Sequence, residues 1–158
     1  MVISDVVKCK KKIMNKLIEI PDVFLLINNK CISKPSEMMF ENIFPYFKVS
    51  DARKTVNNYI CFDYNSRISS KNSSFKDITI NIGVICHKDD IKTPWGSRHD
   101  VLAGVIIDSL IWEDILGFNL ELISDIENIL QNDYHTRTLQ FKNLAINSIN
   151  NGVRSGVY

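Results

Sequence analysis

The sequence predicts an α/β (α+β) fold, in which a mixed, largely antiparallel sheet is flanked by helices. Three observations indicate it: an amphipathic helical pattern near the start, two alternating runs that predict a strand hairpin, and a strongly apolar helix after them. The length of 158 residues suits one domain. We expect residues 1–146 to form that domain and residues 147–158, which gather Gly, Asn and Ser, to form a flexible C-terminal tail.

The first predicted element is an amphipathic helix from Ser4 to Ile20. Its apolar residues recur at steps of three and four, which places them on one face: Val6, Cys9, Ile13, Leu17 and Ile20. The opposite face carries Lys8, Lys11 and Lys12, which form either a solvated surface or a stripe that contacts phosphate. The formal net charge of only +1 favours solvation. Pro21 should end the helix or begin a short second turn.

Residues 28–57 predict a long connection, because they lack a sustained hydrophobic period. We expect one short helix in it, near Ser36 to Asn42. Farther along, Phe44 and Tyr46 flank Pro45 at a rigid bend. These two aromatic residues either belong to an interaction surface or cover the edge of the core.

Two alternating runs predict a long antiparallel hairpin. The first extends from Asn58 to Asn65 and the second from Phe75 to His87, with a polar connection between them. In the second run the isoleucines at 78, 80 and 82 point to one side of the sheet, which predicts that this side lies on the core.

A helix should follow the Pro-Trp-Gly bend, because Ser97 and Asp100 have the spacing of a capping box. Apolar residues surround this helix on nearly its whole circumference, so it should be buried on more than one side. One side would lie on the sheet, and the other would be covered by the 28–57 connection or by another subunit.

The last third of the chain predicts three short elements. A strand should extend from Asn119 to Ile123, and a second capping box at Ser124 and Glu127 predicts a two-turn helix after it. The run at 134–147 is rich in Thr and aromatic residues and predicts the final strand.

The charge balance and the motifs exclude several function classes. Near neutrality removes the case for binding nucleic acid or anionic membranes through bulk charge, and no apolar run is long enough to span a membrane. The four cysteines and three histidines lack zinc or redox spacings, and no glycine-rich phosphate loop occurs. Cys86-His87 and the Ser97–Asp100 segment lack a nucleophile elbow. We therefore expect a soluble cytosolic chain with free thiols, no catalytic residue, no metal and no cofactor.

Four segments resemble the small neck proteins of tailed bacteriophages, and they are most similar to the tail terminator type. The segments are ENIFPYFKVSDARKTVNNYICFDYN, KDITINIGVICHK, GSRHDVLAGVIID and DYHTRTLQF. The similarity covers most of residues 10–147 as pattern and element order.

The resemblance implies a virion structural protein of the head-tail junction, assembled in the host bacterial cytoplasm. Such a protein forms a ring, usually of six copies, that caps the tail tube, stops its elongation and docks to the head connector. Genomic DNA passes through the lumen without sequence-specific binding, and no membrane is involved. The resemblance also implies subunit or partner contacts for Arg98, Asp100, His135 and Arg137.

Three alternatives remain, the first within the resemblance and the other two from the residues. The chain could be another neck or tail completion protein. A small metal-dependent enzyme would use Asp89, Asp90 and His99, and a nucleic-acid module would use the lysines of the first helix.

Overall fold

The structure is a computed structural model that describes residues 4–47, 56–68, 76–111, 113–117, 119–131 and 133–143. It confirms the predicted fold class, with helices packed on a five-stranded, mostly antiparallel sheet. The expected C-terminal tail and the last residues of the predicted final strand lie outside the described residues.

Three α-helices form the helical layer: α1 (Asp5–Glu19), α2 (Pro21–Ile27) and α3 (Arg98–Leu110). The Ser4 side chain caps α1 by accepting a hydrogen bond from the Val7 amide at 3.5 Å. Pro21 begins α2, where its fixed backbone angle suits the first helical position. The short helix expected at 36–42 is a 3₁₀ helix at Pro35–Met38.

The described residues form seven strands. Five of them make one sheet in the order β1-β2-β3-β7-β6, and β4 and β5 make a separate two-stranded ribbon. Their bounds are β1 (Ile43–Phe44), β2 (Tyr59–Ile68), β3 (Lys76–His87), β4 (Lys92–Thr93), β5 (Gly96–Ser97), β6 (Leu120–Leu130) and β7 (Tyr134–Asn143). Strand β1 pairs in parallel with β2, and the other strand pairs of the described residues are antiparallel. The predicted hairpin is confirmed as the antiparallel pair β2–β3, in which Phe62 lies opposite Ile82.

The main core lies between the three helices and one face of the sheet. Alternation brings the fully buried residues Phe62, Ile82 and Phe141 to this face from three neighbouring strands. A smaller cluster covers the opposite face and contains Phe44, Cys61, Ile85 and Tyr134. The helices therefore cover most of one side of the sheet, and the smaller cluster covers part of the other.

Helix α3 is buried through Leu102, Ala103, Ile106 and Leu110. It packs against α2 as well as β3 and β7, so α2 covers part of its circumference beyond the sheet. The expected capping box at its start is wrong: within the described chain, the Ser97 side chain makes no capping hydrogen bond.

The two-turn helix predicted at Ser124 is also wrong, because β6 extends without a break in secondary structure from Leu120 to Leu130. Pairing with β7 along this length supplies the backbone hydrogen bonds that a helix would otherwise provide. The register shifts between Leu122 and Ser124, which indicates a β-bulge there.

The four cysteines all lie within the described residues and form no disulfide bond. In the described segments, no helix combines the length and the apolar character that crossing a membrane requires.

Candidate functional site

Six polar side chains meet where the start of α3 lies against the β6–β7 hairpin. We call this group the His99 cluster, and its members are His99, Asp100, Asp125, Glu127, His135 and Arg137.

Strand alternation explains why these side chains meet. Asp125 and Glu127 are two residues apart on β6, and His135 and Arg137 are two apart on β7. Glu127 lies directly opposite Arg137 in the antiparallel register, so all four side chains point to the face that α3 covers. The first turn of α3 then adds His99 to the same place.

His99 is the buried centre of the cluster, with 3% of its surface exposed. Its Nε2 lies 2.8 Å from Glu127 Oε1 and 3.4 Å from Asp100 Oδ1, and its ring stacks on His135 at a centroid distance of 5.4 Å. Among the described residues, Nδ1 of His99 has no hydrogen-bond partner. A proton on Nδ1 would be buried without an acceptor, so the neutral tautomer with its proton on Nε2 suits this site.

Arg137 links the carboxylates on the other side of the cluster. Its Nε donates to Asp125 Oδ1 at 2.6 Å, and its Nη1 donates to Asp100. The hydrogen bond to Asp125 raises the pKa of the Arg137 guanidinium above its ordinary value. On the histidine side, the hydrogen bond with His99 lowers the pKa of the Glu127 carboxyl. Three carboxylates and one guanidinium leave two negative charges uncompensated while both imidazoles are neutral.

A second polar junction lies around Asp90 and Arg98. The Arg98 guanidinium donates to Asp90 Oδ1 at 3.0 Å, to the Asp90 carbonyl at 2.6 Å and to the Leu26 carbonyl at 2.7 Å. The Asp90 carboxylate also accepts from Asn58 at 2.8 Å and from Asn28 at 3.1 Å. These bonds tie the end of α2 to the starts of β2 and α3, so this junction holds the fold together.

The structure brings three of the six predicted interface residues into the His99 cluster: Asp100, His135 and Arg137. Arg98 does not join this cluster, because it is buried in the polar junction around Asp90 and Arg98. Phe44 is buried in the smaller core cluster, whereas Tyr46 is about half exposed and contacts the Phe44 ring at 5.8 Å.

Asp125 and Glu127 were missed as site residues, and His99 was considered only for the enzyme alternative. The available signal was the matching two-residue spacing of the acidic pair on β6 and the His135 and Arg137 pair on β7. Reading Ser124 and Glu127 as a capping box concealed it.

The cluster contains one set of side chains with the composition of a metal site. Ligand atoms of His99, Glu127 and His135 all lie within 4.8 Å of one another. No other group of three potential ligands meets that criterion in the described residues, so Asp89 and Asp90 do not join His99 in such a set.

Fold and site together define a small α+β protein with a polar cluster between a helix and an edge hairpin. The model of the YomW family matches residues 12–143, and the chain belongs to this family. The family is named after a gene of a Bacillus phage region, so the protein is phage-associated. No curated protein matches the chain.

Proposed function

We propose that this protein is a structural component of the phage head-tail junction. In this role it is a tail terminator, whose copies associate head to tail in a ring that caps the tail tube. The observation that carries the proposal is a pair of exposed apolar patches at opposite edges of the sheet, in a chain whose family is phage-associated.

The first patch, the edge patch, is the outer edge of β6 with its exposed residues Ile123, Ile126 and Ile129. In the register with β7, Ile129 lies on the face that carries Glu127, and Ile126 lies on the opposite face. In the described chain β6 pairs only with β7, so its outer backbone edge is open to a further strand. Ile126 and Ile129 are 56% and 65% exposed, although isoleucine is among the residues most often buried in folded proteins. An open strand edge with exposed isoleucines favours association with another chain.

The second patch, the groove patch, lies beyond β1 at the other edge of the sheet. Val7, Met14, Met39, Phe40 and Pro45 line a groove of about 440 Å³ together with Lys10 and Lys11. Phe40 is 56% exposed and has a backbone φ of 59°, a left-handed conformation that is rare for a bulky residue. Such strain favours a functional role for this turn.

The positions of the two patches favour a ring. Two different patches on one subunit give head-to-tail contacts, and these contacts close into a ring when the rotation between neighbours is suitable. A ring on the last layer of tail-tube subunits would cover the surface to which another layer binds, which stops growth. Its other face would bind the head connector. The formal net charge of +1 suits a lumen through which DNA passes without being held.

The first experiment measures assembly. We expect the wild-type chain to form a closed oligomer, detected by light scattering and negative-stain imaging either alone or on tail tubes. Ile126→Lys should abolish it, because the substitution places a charge at the subunit contact. Ile68→Lys is the matched control, since Ile68 is an exposed isoleucine at the end of β2, outside both patches. A ring that survives Ile126→Lys, or is lost equally in Ile68→Lys, contradicts the proposed interface.

The second experiment tests the terminator role. Purified protein is added to growing tail tubes of the same phage, and tube lengths are measured by electron microscopy. We expect growth to stop with a ring at one end of each tube. Continued elongation with bound rings would instead identify another neck or completion protein. A protein that does not bind the tubes would contradict a role at the tail.

A further inference from the structure

We propose that His99, Glu127 and His135 form a binding site for one divalent transition-metal ion, of which zinc is the best fit. Two imidazoles and one carboxylate are a ligand set that zinc commonly takes, with a fourth position left for water or another donor. This proposal is independent of the ring.

The geometry is close to what the ion requires. In a tetrahedral zinc site with bonds of 2.0–2.1 Å, neighbouring ligand atoms are about 3.4 Å apart. Here His99 Nε2 and Glu127 Oε1 are 2.8 Å apart, and all three ligand atoms lie within 4.8 Å of one another. The required shifts are on the order of 1 Å. Glu127 and His135 can supply them, since the Glu127 side chain is 55% exposed and His135 is only partly buried.

The surroundings favour a cation. Asp100 and Asp125 share Arg137, and among the described residues no guanidinium donates a hydrogen bond to Glu127. Binding would exchange the proton between His99 Nε2 and Glu127 for the ion, and both groups would remain paired. Asp100 Oδ1 lies 3.4 Å from His99 Nε2, close enough to hydrogen-bond a water on the ion.

The three ligands come from different elements of the fold, so a bound ion would connect these elements. His99 belongs to α3, Glu127 to β6 and His135 to β7. An ion held by all three would fasten the edge hairpin to the helix layer and stabilise the folded state.

The test is titration of the full chain with Zn²⁺ by calorimetry. We expect one ion per chain with a Kd of about 10 µM or tighter. Glu127→Gln and His135→Gln should each weaken binding by about tenfold or more, because each removes a ligand. Glu121→Gln and His87→Gln are matched controls on β6 and β3, and they should bind as the wild type does. Circular dichroism verifies that each variant folds.

A second readout locates the ion. Zn²⁺ should shift the imidazole NMR signals of His99 and His135 and leave those of His87 unchanged, and Co²⁺ should give a visible spectrum of low coordination number. A wild-type Kd above about 100 µM would overturn the proposal. So would undiminished binding in both ligand variants, or an equal loss in the controls.

Discussion

Replacing Arg98 with methionine should destabilise the fold strongly, because it removes the centre of a buried polar junction. The Arg98 side chain is 8% exposed and donates three hydrogen bonds, two to Asp90 and one to the Leu26 carbonyl. Methionine fills similar space but donates nothing. The Asp90 carboxylate and the Leu26 carbonyl then lose a partner in a region with little access to water.

The remaining partners and the exposure of Asp90 determine how much stability Arg98→Met should lose. Breaking a buried ion pair by removing one partner costs about 3–5 kcal/mol. Asp90 keeps the amide donors of Asn28 and Asn58 and is itself 23% exposed, so the loss should lie near the lower bound, at about 3 kcal/mol. A domain of this size has about 5–15 kcal/mol of stability in total, so this loss is a large fraction.

Urea unfolding followed by circular dichroism measures the effect. Arg67→Met is the matched control, because Arg67 is exposed near the end of β2 and should change the free energy of unfolding by less than about 0.5 kcal/mol. Adding Asp90→Asn to Arg98→Met should cost less than the sum of the two single changes, since it removes the unpaired charge. A loss below about 1 kcal/mol in Arg98→Met would refute the assigned role.

Three further predictions concern single side chains. Gly83→Ala should displace the Phe47 ring, whose Cε1 would lie 2.8 Å from the new Cβ, and cost about 1 kcal/mol in urea unfolding; an unchanged midpoint contradicts this contact. Burial raises the pKa of the Cys86 thiol to about 12, so a thiol reagent at pH 8 should modify exposed Cys31 long before Cys86; equal rates refute it. The Glu127 carboxyl should titrate in NMR measurements below its ordinary pKa of 4.5. The stability that this carboxylate contributes should be present above pH 4.5 and be lost as the pH falls through the lowered pKa. A titration at or above 4.5 contradicts the hydrogen bond with His99.

Much of the fold could be predicted because the hydrophobic periodicity of the sequence is clear in elements that bury mainly one face. Helix α1 shows a clear stripe, and β3 alternates apolar residues with polar residues or glycine from Ile78 to Gly83 in the centre of the sheet. One buried face fixes both the period and the register of such elements.

Strand β6 could not be predicted because its alternation changes phase. Leu120 and Leu122 point to the core before the bulge, and Asp125 and Glu127 point to the same side after it. The bulge adds one residue, so even positions give way to odd ones and the strand seems to end at Ile123. Ser124 and Glu127 then satisfy the spacing of a capping box, although local spacing says nothing about the strand that pairs alongside.

The same strand connects the two proposals, since its alternation places adjacent residues on opposite faces. Glu127 faces α3 and the proposed ion, whereas Ile126 faces away, towards the proposed subunit contact. Substitutions at these neighbouring positions should therefore separate the two properties. If the ion fastens the hairpin that a neighbouring subunit binds, thermodynamic linkage requires each event to strengthen the other by the same factor. Zinc should then bind more tightly to the ring than to the isolated chain, and an equal affinity for both would mean that the two sites act independently.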